Sequence, residues 1–121
     1  MKYYALVALF FVVAYLIPLG GRPLVSPDEF RYAEIPREMI DSGDYVLPHL
    51  MNMRYFEKPV MGYWLTAASF EVFGQNAFAL RLPSALGAGL AALLIALLIR
   101  QTLRDDKTAA LGALLFLTCG L

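Results

Sequence analysis

Ser26-Pro27-Asp28-Glu29-Phe30-Arg31-Tyr32-Ala33-Glu34, with Arg54-Tyr55-Phe56-Glu57-Lys58-Pro59 at the far end, frames the one long polar interval of this sequence. Seven of the ten acidic residues fall between Ser26 and Lys58. An apolar run lies on either side, so the chain reads as membrane-spanning segments around one polar loop. The loop opens like a helix start, with Ser26 placed to accept from free backbone N–H groups, Pro27 at the first helical position and Glu29 completing a capping box. Asp28 then falls in the first turn, where the positive helix end keeps a carboxylate charged, a preference of roughly 0.3–1 kcal/mol at an exposed site. Asp28 is thus suited to act as a base or a cation partner. Asp28, Arg31, Tyr32 and Ile35 share one side of this helix. Pro36 is expected to kink it, and Ser42-Gly43 to end it.

The composition supports the membrane reading. Of 121 residues, 60% are hydrophobic and 17% charged, and the mean hydropathy is +0.60. These values lie outside the usual soluble range. Ten basic and ten acidic residues give zero formal charge, so no net field favours nucleic acid. The single Cys119 cannot form an internal disulfide.

Outward from the loop, Tyr3 to Leu19 is an uncharged run of 17 residues, about 26 Å long as a helix and just able to cross a membrane. We read it as a retained span over 3–20. A cleaved signal peptide is the alternative, but Gly20-Gly21-Arg22-Pro23 makes a poor cleavage site. The loop occupies 21–76, and within it Pro59 to Phe73, with Tyr63, Trp64, Phe70 and Phe73, suits a juxtamembrane helix at the membrane boundary. Leu82 to Ile99 is an uncharged run of 18 residues and defines a second span over 78–99. On it Ser84, Ala88, Ala92 and Ala96 repeat every four residues, a stripe that lets another helix approach closely or that arises by chance in an Ala/Leu-rich helix. A basic-leaning loop at 100–107 and Lys2 put the N-terminus and this loop in the cytoplasm, and the polar interval outside. A last apolar segment over 108–121 reads as a span cut off within the membrane.

Asp28 and Glu29 point about 100° apart on a helix and cannot face each other as an acid/base pair. A cluster that merely starts the helix is the plainer reading. Arg31, Arg37, Arg54 and Lys58 provide phosphate-binding chemistry beside a membrane, although pairing with Glu34, Glu38, Asp41 or Asp44 would use the same cations. Pro59 restricts Lys58 to extended backbone and so fixes where its ammonium emerges. With His49 the lone histidine, this chain has no zinc-like ligand spacing.

The two charged motifs, in this order and after a first span, resemble the N-terminal part of the type C (GT-C) glycosyltransferases that use polyprenyl-phosphate sugars. This is the protein O-mannosyltransferase superfamily, and within it they look most like the lipid A 4-amino-4-deoxy-L-arabinose transferases. The resemblance implies an all-α integral membrane fold with two juxtamembrane helices in the first outer loop, and a chain that forms the first part of a single, much longer transmembrane domain. It implies that Asp28 is the catalytic carboxylate, that Lys58 contacts the lipid-linked phosphate with Tyr32 and Tyr55 lining that site, and that Glu57 contributes to a divalent metal site whose histidine ligands lie in later segments; the cation chemistry above adds Arg31 as a further phosphate-binding candidate. The implied partners are an undecaprenyl-phosphate-linked sugar, lipid A as acceptor and membrane lipid, with no nucleic acid. The implied place is the bacterial inner membrane, with transfer at its periplasmic face and inversion at the anomeric carbon. A related transferase with a protein hydroxyl or another glycan as acceptor, or an inactive membrane fragment, are the alternatives.

Overall fold

A computed structural model describes residues 2–119. Met1, Gly120 and Leu121 lie outside it, and with the last two goes the end of the expected final span. The chain forms helices α1 (Lys2–Phe11), α2 (Asp28–Ser42), α3 (Met61–Phe73), α4 (Ala77–Leu103) and α5 (Asp106–Cys119), with a small antiparallel hairpin of β1 (His49–Leu50) and β2 (Met53–Arg54). Two helical stretches, Lys2–Gly20 and Ala77–Leu103, are long and apolar enough to cross a membrane. The all-helical membrane architecture stands, and the hairpin was not foreseen. Residues divide into two compact units, Leu19–Pro83 and the remainder.

In the unit formed by the residues up to Pro18 and those from Ser84 on, Ala92, Ala96, Ala113 and Leu117 form a buried seam. Tyr4, Val7, Phe10, Phe11 and Tyr15 pack against it. Half of the expected small-residue stripe is therefore a packing surface, whereas Ser84 is exposed. After Phe11 the first helix loosens into a π turn (Val12–Leu16) and then a 3-10 turn (Ile17–Gly20). Pro18 explains the change, since it has no N–H and its ring crowds the carbonyl four residues back. The Ile17 N–H reaches to the Val12 carbonyl instead, the wider spacing of a π turn. The expected loop at 100–107 is shorter than drawn, because α4 continues to Leu103 and α5 begins at Asp106. Asp105 holds that junction, accepting from the backbone N–H groups of Lys107 and Thr108.

In the unit Leu19–Pro83, α2 packs on α3. Ile35 and Met39 of α2 and Tyr63 of α3 are buried together, with Tyr32, Leu50, Tyr55 and Val60 around them. Tyr63 and Phe70 therefore belong to the core, not to the exposed boundary face expected for them, where Trp64 and Phe73 do remain. Their spacing of seven places them on the side of α3 that covers α2. Helix α2 runs through Pro36 without interruption and ends at Gly43, whose left-handed backbone (φ 71°) lets its N–H bond the Met39 carbonyl. Pro83 leaves the Ala79 carbonyl of α4 without its helical donor. The Ser69 hydroxyl supplies one at 2.7 Å.

Candidate active site

The start of α2 is built differently from the expected capping box. Ser26 makes no capping bond, the Ser26–Pro27 peptide is cis, and Pro27 occupies the cap position. Glu29 does the holding. Its carboxylate accepts from the Val25 N–H at 2.6 Å and receives both arms of the Arg81 guanidinium at 2.7 and 2.8 Å. Arg81, only 10% exposed, also donates to the carbonyls of Leu19, Arg22 and Pro23. One side chain thereby ties the segment before α2 to the helix that carries Asp28. Hydrogen bonding to Arg81 holds the Glu29 carboxyl down at about 2. Sequence reasoning missed this latch. The arginine lies 52 residues from its partner, and no local pattern announces it.

Around the exposed side of α2 the expected site residues come together. Tyr32 is one turn after Asp28, and its hydroxyl accepts from the Lys58 ammonium at 2.5 Å. The same ammonium lies 4.9 Å from the centre of the Tyr32 ring. Tyr55 donates its hydroxyl to Glu57 Oε2 at 2.7 Å. Arg31 stands 4.0 Å from the Asp28 carboxylate, in an open pair with 76% of the Asp28 side chain exposed. Beneath lies Tyr63, whose ring centre is 6.0 Å from that of Tyr32. Burial pushes the Tyr63 hydroxyl up, Tyr55, Tyr32 and Glu57 reinforce this, and Lys58 opposes it.

The hairpin places the second motif. Its turn residues Met51 and Asn52 have left-handed backbones (φ 53° and 62°), which is costly for methionine. Glu38 of α2 secures the turn by accepting from the Met51 and Asn52 N–H groups at 2.6 and 3.3 Å. The Tyr55 N–H then bonds the Pro48 carbonyl, and the chain delivers Tyr55, Glu57 and Lys58 beside α2.

The cations divide sharply. Arg37 is held by Glu34 and Asp41, as intraloop pairing would have it, and Arg81 by Glu29. Lys58 has no carboxylate within ion-pair distance among the described residues. Its partner is the Tyr32 hydroxyl, which leaves its charge available to an incoming anion. The hydrogen bond to Tyr32 raises the Lys58 pKa above its ordinary value, and the ammonium stays charged at neutral pH. Among the described residues no group of three or more His, Cys, Asp or Glu side chains converges. The donors of this chain do not by themselves fit a metal ion at Glu57.

Two helical stretches apolar enough to cross a membrane thus accompany a loop that presents a carboxylate, a lysine with no carboxylate partner among the described residues and phenolic hydroxyls, a set of groups suited to holding an anion. The comparison with known proteins agrees: the dolichyl-phosphate-mannose-protein mannosyltransferase family model matches residues 1–120, and the chain belongs to that family. It is 50% identical over 113 residues to the undecaprenyl phosphate-alpha-4-amino-4-deoxy-L-arabinose arabinosyl transferase of Serratia proteamaculans, covering 93% of this chain and 20% of that protein. It is also 50% identical over 110 residues to the Aeromonas salmonicida protein of the same name, covering 91% of this chain and 20% of the relative. The crystal structure of ArnT from Cupriavidus metallidurans bound to undecaprenyl phosphate matches with a TM-score of 0.76 and 37% identity, over 83% of this chain and 18% of that one. Its apo form gives 0.81 and 35% identity, over 96% and 21%. The chain thus spans about a fifth of the length of these relatives.

Proposed function

We propose that this chain is the donor-binding portion of a glycosyltransferase that moves 4-amino-4-deoxy-L-arabinose from undecaprenyl phosphate to lipid A. It works in the bacterial inner membrane, with the N-terminus in the cytoplasm and the loop from Ser26 to Lys58 in the periplasm. The observation that carries the reading is the Lys58 ammonium, which rests on Tyr32 and has no carboxylate partner among the described residues. The names of the relatives supply the substrate class.

In the reaction a lipid A phosphate oxygen attacks the anomeric carbon from the face opposite the carrier. The bond from that carbon to the carrier phosphate breaks, and its electron pair stays on the phosphate. Lys58 and Arg31 face this growing charge, and the Tyr32 hydroxyl orients Lys58. Asp28, open to solvent, positions the acceptor and takes any residual proton, since a phosphate nucleophile is already anionic. A metal at Glu57 would need ligands from outside the described residues, and no step runs through one.

The test is a chimera in which this chain replaces the matching segment of the Serratia relative, assayed for sugar transfer in proteoliposomes. Asp28→Ala and Lys58→Ala are each expected to lower transfer by at least about 100-fold with normal membrane insertion. Turnover like the unsubstituted chimera by either variant removes the role given to that residue.

A further inference from the structure

Asp28 makes one ion pair among the described residues, the 4.0 Å approach of Arg31, and no side chain caps the helix that begins with it. Where its oxygens stand is therefore decided by where the first turn of α2 stands. That turn is held through the next residue. Glu29 Oε1 accepts from Arg81 Nε, and Oε2 accepts from Arg81 Nη2 and from the Val25 N–H. The Glu29 N–H returns a bond to the Val25 carbonyl at 3.0 Å. With the carbonyls of Leu19, Arg22 and Pro23, Arg81 makes five hydrogen bonds, the full donor capacity of a guanidinium.

The neighbouring parts of this unit are anchored by other contacts. Ala79 and Leu80, just before Arg81, are buried with Phe70, and Leu24 and Ala33 pack around them. Asn76 Oδ1 accepts from the Ala79 N–H and starts α4. The body of α2 is fixed by Ile35 and Met39 against Tyr63, and Lys58 is delivered by the hairpin that Glu38 secures. What remains for Arg81 to hold is the stretch from Val25 to Glu29, with Asp28 in it. We propose that Arg81 is a positioning residue for the transfer: acting through Glu29, it sets the Asp28 carboxylate against the acceptor, and it leaves the hold of Lys58 on the donor phosphate unaffected. The inference rests on the catalytic role given to Asp28. It requires an arginine at this position, because a lysine keeps the charge but has three donors on a single nitrogen.

The experiment measures kcat for sugar transfer and the Kd for undecaprenyl phosphate in the same chimera, below its unfolding transition, with Arg81→Lys as the test. The expected result is a kcat lowered by about 10- to 100-fold, as a displacement of a reacting group by about 1 Å brings, with the Kd unchanged to within about twofold. Glu29→Gln, which keeps the size of the side chain and one acceptor oxygen, should show the same split and replaces Arg81→Lys if that variant does not insert. A second readout uses Asp28→Glu, which moves the carboxylate by one methylene. Arg81→Lys should cost a smaller factor in kcat on that background than in the parent, because the two changes act on the same group. An unchanged kcat overturns the proposal. So does a kcat that falls together with donor affinity, or by the same factor on both backgrounds, since Arg81 would then only hold the fold. Turnover by Asp28→Ala at the unsubstituted rate overturns instead the catalytic reading of Asp28, and the positioning role with it.

Discussion

Truncating Arg81 to alanine should unfasten the start of α2. Glu29 would lose two charge-assisted hydrogen bonds, and the carbonyls of Leu19, Arg22 and Pro23 would lose their donor. The magnitude follows from linkage. The Glu29 carboxyl falls from 4.5 to about 2 in the folded protein, and at 1.36 kcal/mol per pKa unit this amounts to about 3 kcal/mol. Because a quarter of the Glu29 side chain remains in water, screening reduces the figure, and about 2–3 kcal/mol is expected. The assay is denaturant unfolding in detergent micelles of the parent, Arg81→Ala, Glu29→Gln and the double variant. The double-mutant cycle should return a coupling of about 2 kcal/mol. The sign with pH is fixed. A carboxylate whose pKa is depressed by folding contributes fully above pH 4.5, and the contribution disappears as pH falls towards 2. The parent should lose stability across that window, and Arg81→Ala should lose less. A coupling under about 0.5 kcal/mol, the scatter expected of independent sites, would refute the latch.

Three further outcomes follow from the packing. A Cβ at Gly89 would come within 2.7 Å of the Phe11 ring, whereas one at Gly87 meets nothing within 4 Å. Gly89→Ala should therefore destabilise by about 1–3 kcal/mol through overpacking, and Gly87→Ala should be neutral or stabilising by about 0.5–1 kcal/mol, both read from thermal unfolding in detergent. Tyr63 is 2% exposed beneath Tyr32, so Tyr63→Ala should cost about 3–5 kcal/mol in the same unfolding measurement. Replacing Met51, which sits at φ 53°, by asparagine should stabilise the hairpin by about 0.5–1 kcal/mol, visible as slower amide exchange at Tyr55.

Reading the sequence reached most elements of this fold because membrane spans and helix ends are local. Uncharged length marks the segments that α1 and α4 realise, and Pro27, Gly43, Pro59 and Gly74 bracket α2 and α3 to within two residues. The gathering of Asp28, Arg31, Tyr32, Tyr55, Glu57 and Lys58 was legible only through two motifs taken together. What remained hidden depends on contacts far apart in the chain. Glu29 was read as half of a capping box, and its partner Arg81 resembled nothing more than a flank to a span. Tyr63 and Phe70 looked suited to a membrane boundary, since an aromatic residue carries no local sign of whether protein or lipid covers it. The hairpin was missed because two-residue strands with a Met-Asn turn lack the usual Asn-Gly signal. Lys58 shows the limit most clearly: seven carboxylates between Ser26 and Lys58 could have neutralised it, and only the fold leaves it with a phenol.

The most direct measurement of the central claim is equilibrium binding of undecaprenyl phosphate and of uncharged undecaprenol to the chimera in lipid nanodiscs, with and without Lys58. The account predicts tighter binding of the phosphate by at least about tenfold, as one charge-assisted contact supplies, and loss of that difference in Lys58→Ala. A Lys58→Ala protein that still distinguishes phosphate from alcohol as well as its parent would contradict it.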